Sequence, residues 1–291
     1  MDELFFPLTF AAFALLALAE HVWPARAYPA RPRWRLRGVV AIAVYFALAT
    51  ALPMLWDEAL ATYRIFDLTG LGLGLGAFVG VLVVELFQYV WHRTMHAVPF
   101  LWRWFHQMHH SAERIDVFGA LYFSPLDVLG FTLASSLALV LVVGLSPEAT
   151  TLATLIVTWL AFFQHANIRT PRWLGYFVQR PESHALHHAR GVHRYNYADI
   201  PLFDLLFGTF RNPARVDAPA GFYDGASERV AEMLIGRDVS EPKVTFRAAA
   251  GSAASGEQPG ERPRARLTEG RDRLAHGARD RNEQVGVAPV A

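Results

Sequence analysis

The chain has 291 residues, 53% of them hydrophobic and only 18% charged, with a formal net charge of +1. A chain this apolar and this near neutrality offers no polyanion-seeking surface, so nucleic acid is not an expected partner and a bilayer is the expected solvent. Cysteine is absent, which excludes disulfides, thiolate zinc sites, iron–sulfur clusters and a cysteine nucleophile. Any metal must be held by His, Asp, Glu or Asn.

A helix needs about 20 apolar residues to cross a bilayer. Five segments approach that length: Leu4 to Val22, Val39 to Trp56, Leu71 to Trp91, Leu126 to Val143 and Ala149 to Ile168. The first has no basic stretch before it and no A-x-A cleavage signal after it, so it reads as a retained span. The last two are joined by Gly144-Leu145-Ser146-Pro147-Glu148, a turn signal that predicts a hairpin. Arg26, Arg31, Arg33, Arg35 and Arg37 follow the first span, whereas the next loop carries Asp57, Glu58 and Asp67 against Arg64 alone. The excess of arginine predicts that the first loop is cytoplasmic. Counting onward, the third span exits there beside His92, and the basic residues Arg169, Arg172, Arg180, Arg190 and Arg194 after the hairpin lie on the same side. Trp91, Trp102, Trp104 and Phe105 suit an aromatic belt and an interfacial segment at headgroup level. From Arg247 onward the sequence is rich in Ala, Gly, Pro, Arg and Glu without apolar period, and a disordered tail is expected.

The expected fold is therefore all-α: an integral membrane bundle of about four or five transmembrane helices with a cytoplasmic helical cap. It divides into residues 1–70 (N-terminal helices and basic loop), 71–215 (histidine-rich region), 216–246 (C-terminal extension) and 247–291 (tail).

Ten of the twelve histidines fall between His92 and His193; His276 lies in the tail and is set apart from any site. His92 and His96, in HRTMH, are four residues apart and share one helical face. His106, His109 and His110, in HQMHH, stand at i, i+3 and i+4, and His184, His187 and His188 repeat that form in HALHH. One helix cannot surround a metal, so several must converge. Eight imidazoles exceed what a zinc ion closing at four ligands can use, and they suit two metals sharing a site. His165, near the end of the fifth span, is a further candidate ligand, or else a polar group bonded to a neighbouring helix. His193, five residues past His188, is a candidate ligand or a donor behind one, with Asn196 its competitor. Glu85 and Gln88 lie on the His92 face of the third span and are candidates to orient that ring from behind, as carboxylates and carbonyls commonly do; a protonated Glu85 bonded to another helix is the alternative. Asp116, Asp127, Asp199 and Asp204 also lie near the boxes, and Asp204 is a candidate for the supporting layer.

The succession HRTMH, HQMHH, FQHANIR, HALHH and NYADIPLFDLLFGTF, over roughly Val79 to Pro213, resembles the fatty acid hydroxylase and sterol desaturase superfamily of membrane non-haem di-iron enzymes. The family pattern of H-x3-4-H, H-x2-3-HH and a later H-x2-3-HH is met in full. The resemblance implies ligand roles for His92, His96, His106, His109, His110, His184, His187 and His188, with another ligand from the helix bearing His165. It further implies two iron ions (zinc being able to occupy such a site on isolation), O2 as co-substrate, and hydroxylation or desaturation of a fatty acyl lipid or sterol-like molecule. Some members carry a second histidine four residues from the one on the last hairpin helix. Here position 161 is Ala and position 169 is Arg, so a full ligand set calls on His193 or Asn196. No cytochrome b5-like domain is fused, so the electrons are expected from a separate ferredoxin- or cytochrome b5-like protein. The segments FQHANIR and FGTFRNP resemble the compact bacterial type, for which a bacterial inner membrane is the expected location.

Two other classes of membrane protein also gather histidines. A membrane zinc hydrolase requires an H-E-x-x-H box, which the sequence lacks. A metal or electron carrier without catalysis requires ligands spread through the depth of its spans, whereas these gather at one face.

Overall fold

The computed structural model describes residues 2–242. The tail expected from Arg247, with His276, lies outside the described residues. Within them the chain is helical, without strands; an isolated antiparallel bridge joins Ala189 and Ala220. In chain order the helices are α1 (Asp2–Val22), α2 (Trp34–Ala51), α3 (Asp57–Thr62), α4 (Gly72–Ala97), α5 (Pro99–Leu101), α6 (Gln107–His110), α7 (Pro125–Ser136), α8 (Pro147–His165), α9 (Pro181–His187), α10 (Leu202–Leu206) and α11 (Val230–Leu234). A π-helical turn, Trp102–His106, joins α5 to α6, and a second π segment, Leu137–Val143, extends α7.

Four helical stretches among the described residues are long and apolar enough to cross a membrane: Glu3–Val22, Trp34–Leu55, Thr69–Ala97 and Pro125–Val143. Two boundaries differ from the sequence expectation. The second helix begins at Trp34 rather than Val39, because the indole of Trp34 is buried and donates to Asp116 Oδ1 at 2.8 Å, anchoring the first turn. The third runs six residues past Trp91 without a break, which keeps HRTMH on the same helix as Glu85. The fifth expected segment does form a helix, α8, but it is not among the four: Thr150, Thr151, Thr154, Thr158 and Gln164 dilute its apolar character.

The hairpin forms for local reasons. Ser124 caps α7 by accepting from Asp127 N at 3.1 Å, with Pro125 in the first turn; Ser146 and Pro147 repeat the device at α8, where Ala149 N donates at 3.3 Å. Between them Gly144 takes a left-handed φ of 61°, the conformation that turns the chain back. α8 packs against α4 and α1, and α7 against α4 and α2. α1 and α2 are peripheral, and their outward side chains, such as Leu15 at 67% and Val40 at 54% exposure, form the kind of apolar belt that a lipid solvent stabilises.

Where α4 packs on α8, Gly80 lies so near that a Cβ on it would sit 3.1 Å from Ala153 Cβ and 2.7 Å from Leu145 Cδ1. Gly80→Val is expected to push the two helices apart and to destabilise the fold by about 1–3 kcal/mol. A lowered unfolding midpoint in detergent, with the wild-type value retained in Phe78→Leu on the exposed face of α4, is the expected reading.

Candidate metal centre

Nine histidines converge in two groups. His92, His96, His106, His110 and His187 form one, and His109, His165, His184 and His188 the other; in each group the ligand atoms lie within 4.8 Å of one another. α4 contributes His92 and His96, and the π turn leading into α6 brings His106 to the same side as His109 and His110. α8 ends on His165, and α9 delivers His184, His187 and, as its C-cap, His188. The adjacent pairs split between groups as the box spacing requires: His109 from His110, and His188 from His187. Every ring is buried except that of His96, which is half-buried.

The hydrogen bonds fix which ring nitrogen is free. His92 Nδ1 lies 2.7 Å from Tyr197 O, His96 Nδ1 2.9 Å from His193 O, and His187 Nδ1 2.7 Å from Tyr195 O. His165 Nδ1 is 2.7 Å from Ala161 O, and His106 Nδ1 is 2.9 Å from Asp127 Oδ2. A carbonyl oxygen only accepts, so the proton sits on Nδ1 and the Nε2 lone pair is left pointing into the cluster. His92 and His106 thereby aim two lone pairs at each other across 3.0 Å. Nε2 of His96, His110 and His187 is buried with no partner. Converging unprotonated nitrogens repel unless a cation lies among them, and neutral imidazole is the metal-ligating form. The donor set thus fits a pair of metal ions. Its composition, nitrogen throughout with no thiolate, is one that iron, zinc and other first-row metals accept.

Burial enforces the same state. The imidazoles of His106, His109, His110, His184, His187 and His188 are held well below the usual histidine range, first by loss of water and then by the neighbouring rings; burial lowers His193 to about 4.

Three of the supporting carbonyls come from alternate residues of one segment, His193, Tyr195 and Tyr197. Its backbone is unusual: His193, Tyr195 and Asn196 all have positive φ, at 40°, 72° and 51°. Such conformations cost about 1–3 kcal/mol each and persist only when the surroundings over-determine them. Here they do. Asp204 accepts from Tyr197 N, Ala198 N and Thr209 Oγ1; Glu85 Oε2 accepts from Asp199 N at 2.8 Å and Ile200 N at 3.1 Å. Asn196 donates to Ser183 O and accepts from Arg211 N, while its own carbonyl accepts from Gln179.

Several expected roles are relocated by these bonds. Neither Glu85 nor Gln88 hydrogen-bonds His92; Tyr197 O holds that ring, Glu85 acts two residues further along the strap, and Gln88 donates to Ser135 Oγ at 3.5 Å. The Asn196 side chain is spent on the backbone groups Ser183 O and Arg211 N. His193 stands beside the first group, its Nδ1 3.0 Å from His110 Nδ1, and lies outside both ligand sets. In sequence Asp127 is only a neighbour of the boxes; in the structure it is the carboxylate that orients His106. Its signal is the S-P-x-D motif, which caps α7 and so places Asp127 in the first turn. Arg180 is fully buried between Glu182, Thr170 and Asn212, and it fixes the start of α9. Nothing in the spacing of charges marked it.

Between α4, α7 and α8, against His92, His106, His109, His165 and His184, lies a cavity of about 90 Å³ walled by Val84, Leu121, Phe123, Phe131 and Leu139. Gln164 and Asp199 give it a polar edge, joined by a 2.6 Å hydrogen bond. Burial and the nearby Asp204 raise the Asp199 carboxyl to about 7 against the bond from Gln164.

Two outcomes are expected from this geometry. Removing the carboxylate behind His106 in Asp127→Ala should weaken metal retention about 10–100-fold, as losses behind a ligating histidine do, measured by competition with a chelator. Because the buried rings have folded pKa values below the unfolded value of about 6.5, the unfolded chain binds more protons, and the stability they contribute is present above that pH and lost as it falls. Metal release and unfolding should therefore set in together as pH falls below about 6.5.

Residues 77–209 match the family model described as fatty acid hydroxylase. The very-long-chain aldehyde decarbonylase GL1-9 of Oryza sativa subsp. indica is 29% identical over 139 residues, covering 45% of this chain and 52% of the relative. Sphinganine C4-monooxygenase 1 of Arabidopsis thaliana is 28% identical over 134 residues, with the same shares of 45% and 52%. The ornithine lipid hydroxylase OlsE of Rhizobium tropici is 27% identical over 208 residues, covering 68% of this chain and 60% of that protein. The chain spans about half the length of the first two relatives. No solved structure matches. The region that carries all nine converging histidines lies within residues 77–209, the stretch that matches the fatty acid hydroxylase family model.

Proposed function

We propose that this chain is an O2-dependent lipid oxidase, a hydroxylase or desaturase, that holds two iron ions in its paired histidine groups at the cytoplasmic face of a membrane. The observation that carries the reading is the position of the two groups: five of their imidazoles, His92, His106, His109, His165 and His184, line a largely apolar cavity beside helices able to cross a bilayer. Three differently named enzymes are similar to this chain over 139, 134 and 208 residues, which supports a common chemistry with several products. The cytoplasmic assignment rests on the arginines between α1 and α2 against the acidic loop after α2.

Two irons held there would supply the reduction of O2 and the removal of hydrogen from an unactivated C–H bond. The balance is one lipid C–H, one O2, two electrons and two protons giving an alcohol and one water, or an alkene and two waters when a second hydrogen leaves the neighbouring carbon. The electrons come from a separate donor protein. The chain's own residues hold the rest of the site. Phe123 and Phe131 exclude water from the cavity, and the carbonyls of residues 193, 195 and 197 keep the Nε2 atoms in register. Asp199, at the polar edge and poised near neutrality, holds a proton at its carboxyl group for delivery into the cavity. The cavity is smaller than the ~150 Å³ that accommodates benzene, so an acyl chain enters only as aromatic side chains swing aside.

Purified protein in lipid discs, given a reductant and 18O2, is expected to contain close to two metal atoms per chain. It should either place one heavy oxygen in a lipid product or remove two hydrogens. His109→Ala should abolish turnover; a fully active His109→Ala enzyme would overturn the reading. Lipid profiling of a deletion strain identifies the substrate.

A further inference from the structure

We propose that the acyl chain enters from the side, along a groove on α2, with Phe123 as the gate between groove and metals and with an anionic lipid head held at the cytoplasmic rim by Arg33 and Arg37. The inference rests on the oxidase reading above and names the route its substrate takes.

The groove, of about 750 Å³, has Arg33, Leu36, Arg37, Val40 and Val44 along one wall. Positions 37, 40 and 44 advance by three and four, one face of α2, with Arg33 at the N-cap beside Arg37 and about 10 Å of apolar wall beyond Arg37. Met108, Phe123 and Leu234 line the other side. Leu36, Val40 and Leu234 are 59%, 54% and 45% exposed, so the groove is open along its length. Met108 stands between His106 and His109 in the box itself.

Phe123 is decisive because it belongs to both spaces: it lines this groove and the inner cavity. Its ring is 4.6 Å from that of His109 and stacks at 5.6 Å on Phe131. One aromatic side chain therefore separates the lipid-facing groove from the ligand layer. The other large apolar groove, between α4 and α7 around Trp91 and Leu133, has no charged residue in its lining and shares no residue with the inner cavity.

The rim selects the head. Arg33 is exposed; its carbonyl accepts from Arg37 N, and its side chain makes no hydrogen bond or ion pair among the described residues. Arg37 donates to Ser227 O and Pro32 O, which leaves its buried Nε without an acceptor. Glu228 is the one carboxylate in the lining, so the rim carries two cations against one anion. An apolar slot capped by arginines of this kind complements a phosphate- or carboxylate-bearing lipid.

The test uses the full chain with its metals in phosphatidylcholine vesicles containing a phosphatidylglycerol with a diazirine in mid-chain, illuminated and mapped by mass spectrometry. Cross-links are expected on Leu36, Val40, Val44 and Met108. Val40→Trp, which fills the groove, should cut them about tenfold, a factor set by about 1.4 kcal/mol, at unchanged metal content. Arg33→Gln combined with Arg37→Gln should remove the preference over a phosphatidylcholine probe while leaving the apolar cross-links. Labelling spread evenly over the lipid-facing helices, or unaltered by Val40→Trp, overturns the portal. So do cross-links from the groove to a second copy or to the chain's own C-terminal segment. Turnover undiminished in Val40→Trp keeps the oxidase reading and overturns the portal. Groove labelling that follows these variants in a protein that oxidises no lipid keeps the portal and overturns the oxidase.

Discussion

The structure depends on a single bond type repeated around the centre: an imidazole Nδ1–H donated to an oxygen that can only accept. Each such bond decides which nitrogen of a histidine faces inward and at what angle. Without it a buried ring is free to turn its protonated edge towards the cluster, where it cannot ligate. His92, His96, His106, His165 and His187 are all held this way. The fold around them supplies the acceptors. A strap with three left-handed residues presents carbonyls at 193, 195 and 197, the end of α8 presents Ala161 O, and the first turn of α7 presents Asp127. The strain in the strap is offset by Asp204, Glu85 and Asn196, each of which satisfies backbone or hydroxyl groups rather than approaching a metal.

Much of this centre is legible in the sequence because helices convert spacing into direction. Positions at i, i+3 and i+4 must share a face, so HQMHH and HALHH announce convergence before any coordinates are known. The hairpin is equally local: Ser-Pro at both helix starts and Gly144 between them describe the turn by capping and backbone freedom alone. What the sequence conceals is contact through irregular backbone. A main-chain carbonyl has no letter of its own, so Tyr197 O behind His92 cannot be read from composition or period, and the search for a side chain pointed instead to Glu85 and Gln88. The π turn at Trp102–His106 is hidden for the same reason, since it adds a residue to a helical turn without a distinctive residue type. α8 shows the converse: its length was plain, but threonines that bond back to their own helix, Thr154 and Thr158, make it more polar than a lipid-facing span.

The polar groups at this level of the bundle form a connected layer. Glu85, Asp127, Asp199 and Asp204 are buried among apolar helices, and each has at least one oxygen engaged by backbone, Gln164, Thr209 or His106, while Glu85 Oε1 and Asp127 Oδ1 are left without a partner. Unpaired, such groups would be costly in a medium without water. Paired, they let a metal-binding layer sit directly on an apolar bundle with one thin cavity between.

Glu85 ties these levels together mechanically. α4 carries His92 and His96, and through Glu85 it also grips the strap whose carbonyls orient those two rings; Tyr89, one turn on, reaches Thr209 at 3.1 Å on the far side of the same strap. Ligand and support are thus bolted to one rod. When a change in bilayer thickness tilts that rod, the two move as a unit, and the bond geometry behind His92 and His96 is preserved while the load falls on the softer contacts between helices.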